Sequence, residues 1–214
     1  MNSIYTAEQV RAFEENSFIK EGDDLQAMMK AAKQSVEILN KEFSTSEFLI
    51  LCGPGNNGGD GYFIGIGLSE LKKSVKFIDV LSHAKKSPLC EHAFEAAKDS
   101  DFIDAKTLKD ISSKTVIVDA IFGIGGRIDL GSKLEEILSS CNRFESKVAI
   151  DVPTGLDCNS GEISQACFNA DKTITFIGYK LGQRINEGKN YCGELILRDL
   201  GFSMNKNVSP TVKE

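Results

Sequence analysis

Short apolar runs alternating with stretches of helical spacing predict an α/β fold, with a mostly parallel sheet covered by helices on both faces. Two observations carry this. Runs such as Phe48-Leu49-Ile50-Leu51, Val116-Ile117-Val118 and Val148-Ala149-Ile150 are continuously apolar, as strands buried on both faces must be. Each also runs straight into a loop rich in glycine or headed by aspartate, and ligands of open parallel sheets bind outside the carboxyl ends of the strands.

The elements follow in order. Thr6-Ala7-Glu8-Gln9 has the spacing of a capping box ahead of Val10 and Phe13, which starts a first helix. Asp23 or Asp24 caps a second, whose Leu25, Met28, Met29, Ala32, Val36 and Leu39 keep the helical period and point the methionine pair at a core. Phe48–Cys52 reads as a strand, Tyr62–Leu71 as a helix, Val75–Leu81 as a strand and Pro88–Ala97 as a helix. Val116–Val118 is a strand ending at Asp119, Ser132 caps a helix carrying Leu134, Ile137 and Leu138, and Val148–Ile150 is a strand ending at Asp151. Thr173–Ile177 and Glu194–Arg198 are late strands, and the polar tail from Ser203 reads as frayed. With no repeat, low-complexity tract or long linker, residues 1–214 read as one domain.

The totals set further bounds. A hydrophobic share of 41% and a charged share of 26% are those of a soluble globular protein. No apolar run is long enough to span a bilayer, and the first residues lack a secretion signal, so a cytoplasmic protein with no membrane partner is expected. A net charge of −6 argues against nucleic acid, whose binders carry a basic stripe. The pairs Lys72-Lys73 and Lys85-Lys86 read as solvated helix or loop ends. The six cysteines form no C-x-x-C, only His83 and His92 could join them, and reduced thiols without zinc are expected, with Cys52 in the core.

Three strand-end loops carry the chemistry. In Gly53-Pro54-Gly55-Asn56-Asn57-Gly58-Gly59-Asp60-Gly61, five glycines in nine residues let backbone approach a ligand and adopt positive φ, and a helix start beyond them suits a phosphate. Asp119 leads into Gly123-Ile124-Gly125-Gly126-Arg127-Ile128-Asp129, a second anion-binding wall. Asp151 leads into the rigid turn Val152-Pro153-Thr154-Gly155. Together they describe a cleft for a phosphate-bearing ligand. Gly53-x-Gly55-x-x-Gly58 also satisfies the dinucleotide fingerprint, with Asp79 placed as a ribose-binding acid, so an NAD-dependent dehydrogenase is an alternative. Against it stand the polar Asn56, Asn57 and Asp60 and the lack of an accompanying proton-relay pair.

These motifs, with Val118-Asp119-Ala120-Ile121-Phe122-Gly123, Ile150-Asp151-Val152-Pro153-Thr154-Gly155-Leu156-Asp157, Ala170-Asp171-x-Thr173-x-Thr175-Phe176 and Gly178-x-Lys180-x-Gly182, resemble the YjeF N-terminal domain, the NAD(P)H-hydrate epimerase family, over about residues 4–202. The resemblance implies a Rossmann-like three-layer αβα sandwich with extra N-terminal helices, commonly a homodimer, acting on the C6 epimers of NADHX and NADPHX. It implies a potassium ion contacted by Asn57, Asp119 and Thr154. It implies substrate contacts from Asn56, Asn57, Gly58, Gly59, Asp60, the loop Gly123, Ile124, Gly125, Gly126, Arg127, Ile128, Asp129, and Asp151, with Asp151 as the catalytic acid–base. Many relatives carry a second, dehydratase domain. This chain is too short to hold one, so either a separate dehydratase is its functional partner or the second domain belongs to a longer chain. Relatives that serve as scaffolds leave a non-catalytic binding module as a further alternative. C6 of the hydrated ring bears a hydroxyl next to a ring nitrogen, so loss and re-addition of water, or ring opening and closure, inverts it without redox change. Either route needs a shuttled proton, which Asp151 can supply. Lys180 either touches substrate or pairs with a carboxylate.

Overall fold

The structure is a computed structural model that describes residues 3–21, 24–43, 47–126, 129–201 and 211–213. Strand β1 (Ser3–Tyr5) leads into helices α1 (Ala7–Glu21) and α2 (Asp24–Glu42). Then β2 (Phe48–Cys52), α3 (Asn56–Glu70), β3 (Val75–Asp79), α4 (Pro88–Ala97), β4 (Val116–Ala120), α5 (Ser132–Cys141), β5 (Ser146–Ile150) and β6 (Lys172–Phe176) alternate. Strand β7 (Tyr179–Lys180), the short helices α6 (Leu181–Arg184) and α7 (Gly188–Tyr191), β8 (Glu194–Arg198) and β9 (Val212–Lys213) follow.

The main sheet has the order β3-β2-β4-β5-β6-β8, parallel throughout. Residues alternate between its two faces. Phe48, Ile50, Cys52, Val116, Val118 and Ala120 pack under α2, α3 and α4, while Leu49, Leu51, Ile117 and Ala149 pack against α5. This is the three-layer arrangement expected. The strand order reverses between β2 and β4, and at such a switch point the loops leaving the two strands diverge and open a crevice.

Several local expectations hold in detail. Thr6 and Gln9 form the capping box: the Thr6 amide donates to Gln9 Oε1 at 2.8 Å and the Gln9 amide to Thr6 Oγ1 at 3.3 Å. All six cysteines are buried free thiols. No helix of the described residues is long and apolar enough to cross a membrane.

Others are corrected. Helix α3 begins at Asn56, so most of the glycine stretch is helical rather than loop, and none of its glycines has positive φ. The glycines serve close packing instead: a Cβ on Gly58 would collide with the backbone of Gly53, and one on Gly61 would lie 2.6 Å from Ala120 Cβ. Helix α5 is preceded by Gly131 at φ +75°, and Ser132 is its first residue rather than its cap. Met28 is buried, but Met29 is 52% exposed. Within the tail read as frayed, β9 pairs antiparallel with β1, which also pairs parallel with β7. This second, three-stranded sheet was not anticipated, because each strand is too short to leave a pattern.

Candidate active site

A cavity of about 1330 Å³ opens at the carboxyl ends of the strands. Its sheet-side wall is Pro54, Gly55, Asn56, Asn57 and Asp60 after β2, Ile121–Gly125 after β4, and Asp151 after β5. Helices α1 and α2 supply the other wall through Arg11, Glu14, Asp24 and Met28. The three loops singled out from sequence therefore meet in one place. Its volume is larger than that of an ordinary drug-sized pocket and suits a large ligand.

Asp151 is the most constrained residue of the site. Its backbone is left-handed, with φ 66°, a conformation rare outside glycine that Asp and Asn tolerate best. Two hydrogen bonds hold it there: the Asp151 amide donates to Ile174 O at 2.7 Å, and Gln183 Nε2 donates to the Asp151 carbonyl at 2.7 Å. Oδ1 of its carboxylate receives Lys180 Nζ in an ion pair and Thr175 Oγ1 at 3.3 Å. Oδ2 is the oxygen left for a ligand. It faces Gly123, where a Cβ would come within 2.8 Å of it. Gly123 is thus small because the carboxylate needs that space.

Lys180 resolves the choice left open by its sequence. It is 1% exposed and spends its ammonium on Asp151, on Thr175 Oγ1 at 2.8 Å and on Phe176 O at 3.0 Å. An ammonium has three donors, so this one is saturated by protein. It pairs with the carboxylate and holds Asp151 in place.

Asp119 and Thr154 are fully buried and do not line the cavity. The amides of Thr154 and Ile121 donate to Asp119 at 2.7 and 3.1 Å, and Thr154 Oγ1 at 2.8 Å. Burial nonetheless raises its pKa to about 6, the hydrogen bonds offsetting only part of the desolvation. The Asn57 side chain donates to Ile150 O at 3.2 Å, while its Oδ1 is buried with no hydrogen-bond partner. Helix α3 starts at this wall with no side-chain cap, so its first amides and its dipole are available to an anion.

Two of the other carboxyls that line the cavity have raised pKa values. Burial pushes Asp60 well above the usual carboxylate range, and repulsion from Asp151 and Glu14 adds to it. Glu14 is raised to about 7, chiefly by burial and then by Asp151, with Lys180 and Arg11 pulling the other way.

Some sequence candidates fall elsewhere. Gly58 and Gly59 are buried in packing contacts and do not line the cavity, nor do Gly126 and Asp129. Arg127 and Ile128 lie outside the described residues. Asp79, placed by sequence as a ribose acid, is instead locked to Lys86 at 2.7 Å in an ion pair with side chains 13% and 7% exposed, and is not on the cavity wall. That removes the residue on which the dehydrogenase alternative leaned. It also corrects the reading of Lys86 as a solvated end, while Lys85 is exposed as expected. Sequence reasoning missed Arg11, Glu14, Thr175 and Gln183. Only the i, i+3 spacing of Arg11 and Glu14 on a capped helix offered a signal.

Comparison with known proteins agrees with this geometry. The family model for the YjeF-related protein N-terminus matches residues 24–182. An NAD(P)H-hydrate epimerase of Leuconostoc citreum is 32% identical over 82% of this chain and 79% of its own. One from Weissella koreensis is 31% identical over 94% and 93%. A bifunctional NAD(P)H-hydrate repair enzyme of Leishmania infantum is 30% identical over 93% of this chain, which spans 37% of that protein. In fold, the crystal structure of yeast ynu0 superposes with a TM-score of 0.72 at 20% identity, covering 96% of both chains.

Proposed function

From the premise that the chain belongs to the family of YjeF-related protein N-termini, we propose that it is an isomerase that interconverts the C6 epimers of NADHX and NADPHX. The observation that carries this reading is the state of Asp151. One of its oxygens is pinned by Lys180 and Thr175, and the other is presented to a cavity large enough for a dinucleotide.

The chemistry follows from the substrate. A proton must reach the departing C6 hydroxyl, and the cationic ring left behind must be stabilised. Asp151 does both in turn: as the acid it delivers the proton, and the carboxylate left behind faces the cationic ring on a rigid, doubly anchored backbone that costs no reorganisation. Asp60, whose carboxyl burial pushes upward, lines the cavity as a polar contact for the substrate. Asn56 and the first turn of α3 bind phosphate, and the loop Gly123–Gly125 covers the ring.

A potassium ion belongs to this reading, with Asn57, Asp119 and Thr154 as its ligands. The residues fit: Asn57 Oδ1 is a buried oxygen without a partner, and Asp119 is a buried carboxyl whose raised pKa a neighbouring cation would relieve. Oxygen donors suit such a hard cation. When bound, the ion neutralises phosphate charge. A homodimer in the cytoplasm, working beside a separate dehydratase, completes the reading. The bifunctional Leishmania relative is consistent with that pairing of activities.

Incubation of the protein with a single resolved epimer of NADHX tests the activity. Conversion to the other epimer faster than the spontaneous rate supports it. An unchanged epimer ratio above that background overturns it and leaves a binding module.

A further inference from the structure

Inversion at C6 puts the hydroxyl on opposite faces of the ring in the two epimers. A single rigid carboxylate reaches one face. Asp151 is such a group: its backbone is anchored at both ends and its Oδ1 is immobilised, so it cannot swing around the ring. The other face needs its own proton donor and acceptor.

The helical wall supplies one. Glu14 lines the cavity from α1, an element independent of the strand that carries Asp151. Arg11, one turn earlier, gives its guanidinium to Ile124 O at 3.2 Å, which fastens α1 over the loop that follows β4. Glu14 itself makes no hydrogen bond or ion pair with the described residues, although it is half-buried. Structural carboxyls are normally satisfied by the protein, whereas this one is left open to the cavity. The groups that act on it are Asp151, Lys180 and Arg11, with Asp24 and Asp60 contributing further repulsion.

Resting on the epimerase reading above, we infer that Glu14 is a second catalytic carboxyl, which with Asp151 addresses the two faces of the hydrated ring. In one direction, protonated Glu14 gives its proton to the C6 hydroxyl. The C–O bond breaks with its electron pair, and water leaves. A water on the other face adds to C6 and passes a proton to Asp151. The enzyme ends with the proton on Asp151 instead of Glu14, which is the form that handles the opposite epimer. Atoms and charge balance, and no co-reactant besides water is used. The raised pKa of Glu14, about 7, lets it hold or give up a proton near neutral pH.

The test compares wild type, Glu14→Gln and Glu14→Asp on one NADHX epimer in ¹⁸O-water across the neutral range. Wild type should incorporate ¹⁸O at C6 with inversion and slow as pH rises through about 7, when Glu14 ionises. Glu14→Gln should lower kcat by about 10²-fold with little change in KM, and should lose that alkaline limb. Glu14→Asp, which keeps a carboxyl, should retain the limb. Wild-type kcat and pH profile in Glu14→Gln would overturn the inference while leaving the epimerase intact. So would inversion without ¹⁸O uptake. An inactive wild type would instead sink the epimerase reading itself, and the inference with it.

Discussion

At the scale of single residues, the site works because Asp151 is aimed and immobile. Asp151→Asn keeps the shape and tolerates the left-handed backbone, so the fold should survive. Epimerisation in that variant should fall by at least about 10²-fold, as measured on a single epimer. Glu14 has a thermodynamic signature too. Its folded pKa, about 7, lies above its ordinary 4.5, so the stability it contributes is fully present below the lower value and is lost as pH rises through the upper. Replacing it with glutamine removes that loss. The melting temperature of Glu14→Gln minus that of wild type should therefore grow from pH 5 to pH 8. A constant difference would place the titration elsewhere.

At the scale of elements, α3 shows what a sequence reveals and hides. Its position after β2 was legible, because an apolar strand running into glycines marks a strand end. Its true start was not. Glycine is a poor helix former, so the glycine-rich stretch reads as loop, yet contact with β2, β4 and α2 overrides that propensity. Gly58→Ala tests the point. Its Cβ would meet backbone that cannot move aside, and the substitution should destabilise the protein by about 3 kcal/mol, seen as a lower denaturation midpoint. On propensity alone, alanine would stabilise the helix. The capping box of α1 lay in plain view as Thr6 and Gln9. The role of α1 did not, since only the tertiary fold lays Arg11 against Ile124 and brings Glu14 to the cavity that Asp151 lines. Likewise the partner of Lys180 is 29 residues away in sequence, and no local spacing encodes it.

At the scale of the whole molecule, the site is a meeting of distant segments, and ligands that bridge them should hold the fold together. Potassium binding at Asn57, Asp119 and Thr154 would link the ends of β4 and β5 to α3. The melting temperature should rise with potassium chloride and not with choline chloride at equal ionic strength. At a concentration about 100-fold above Kd, the gain is about 2.7 kcal/mol. Asp119→Asn should abolish the difference between the two salts.

The cysteines give the molecule a built-in way to observe its own breathing. Cys52 and Cys90 sit on the helix-covered side under α3 and α4, Cys141 on the α5 side, and Cys158, Cys167 and Cys192 in a third cluster beside Val152 and Leu156. Each sulfur is shielded until its own layer opens. Alkylation followed by peptide mass mapping would then clock three regions separately in one unmodified sample, ranking which loosens first and which a bound nucleotide quiets.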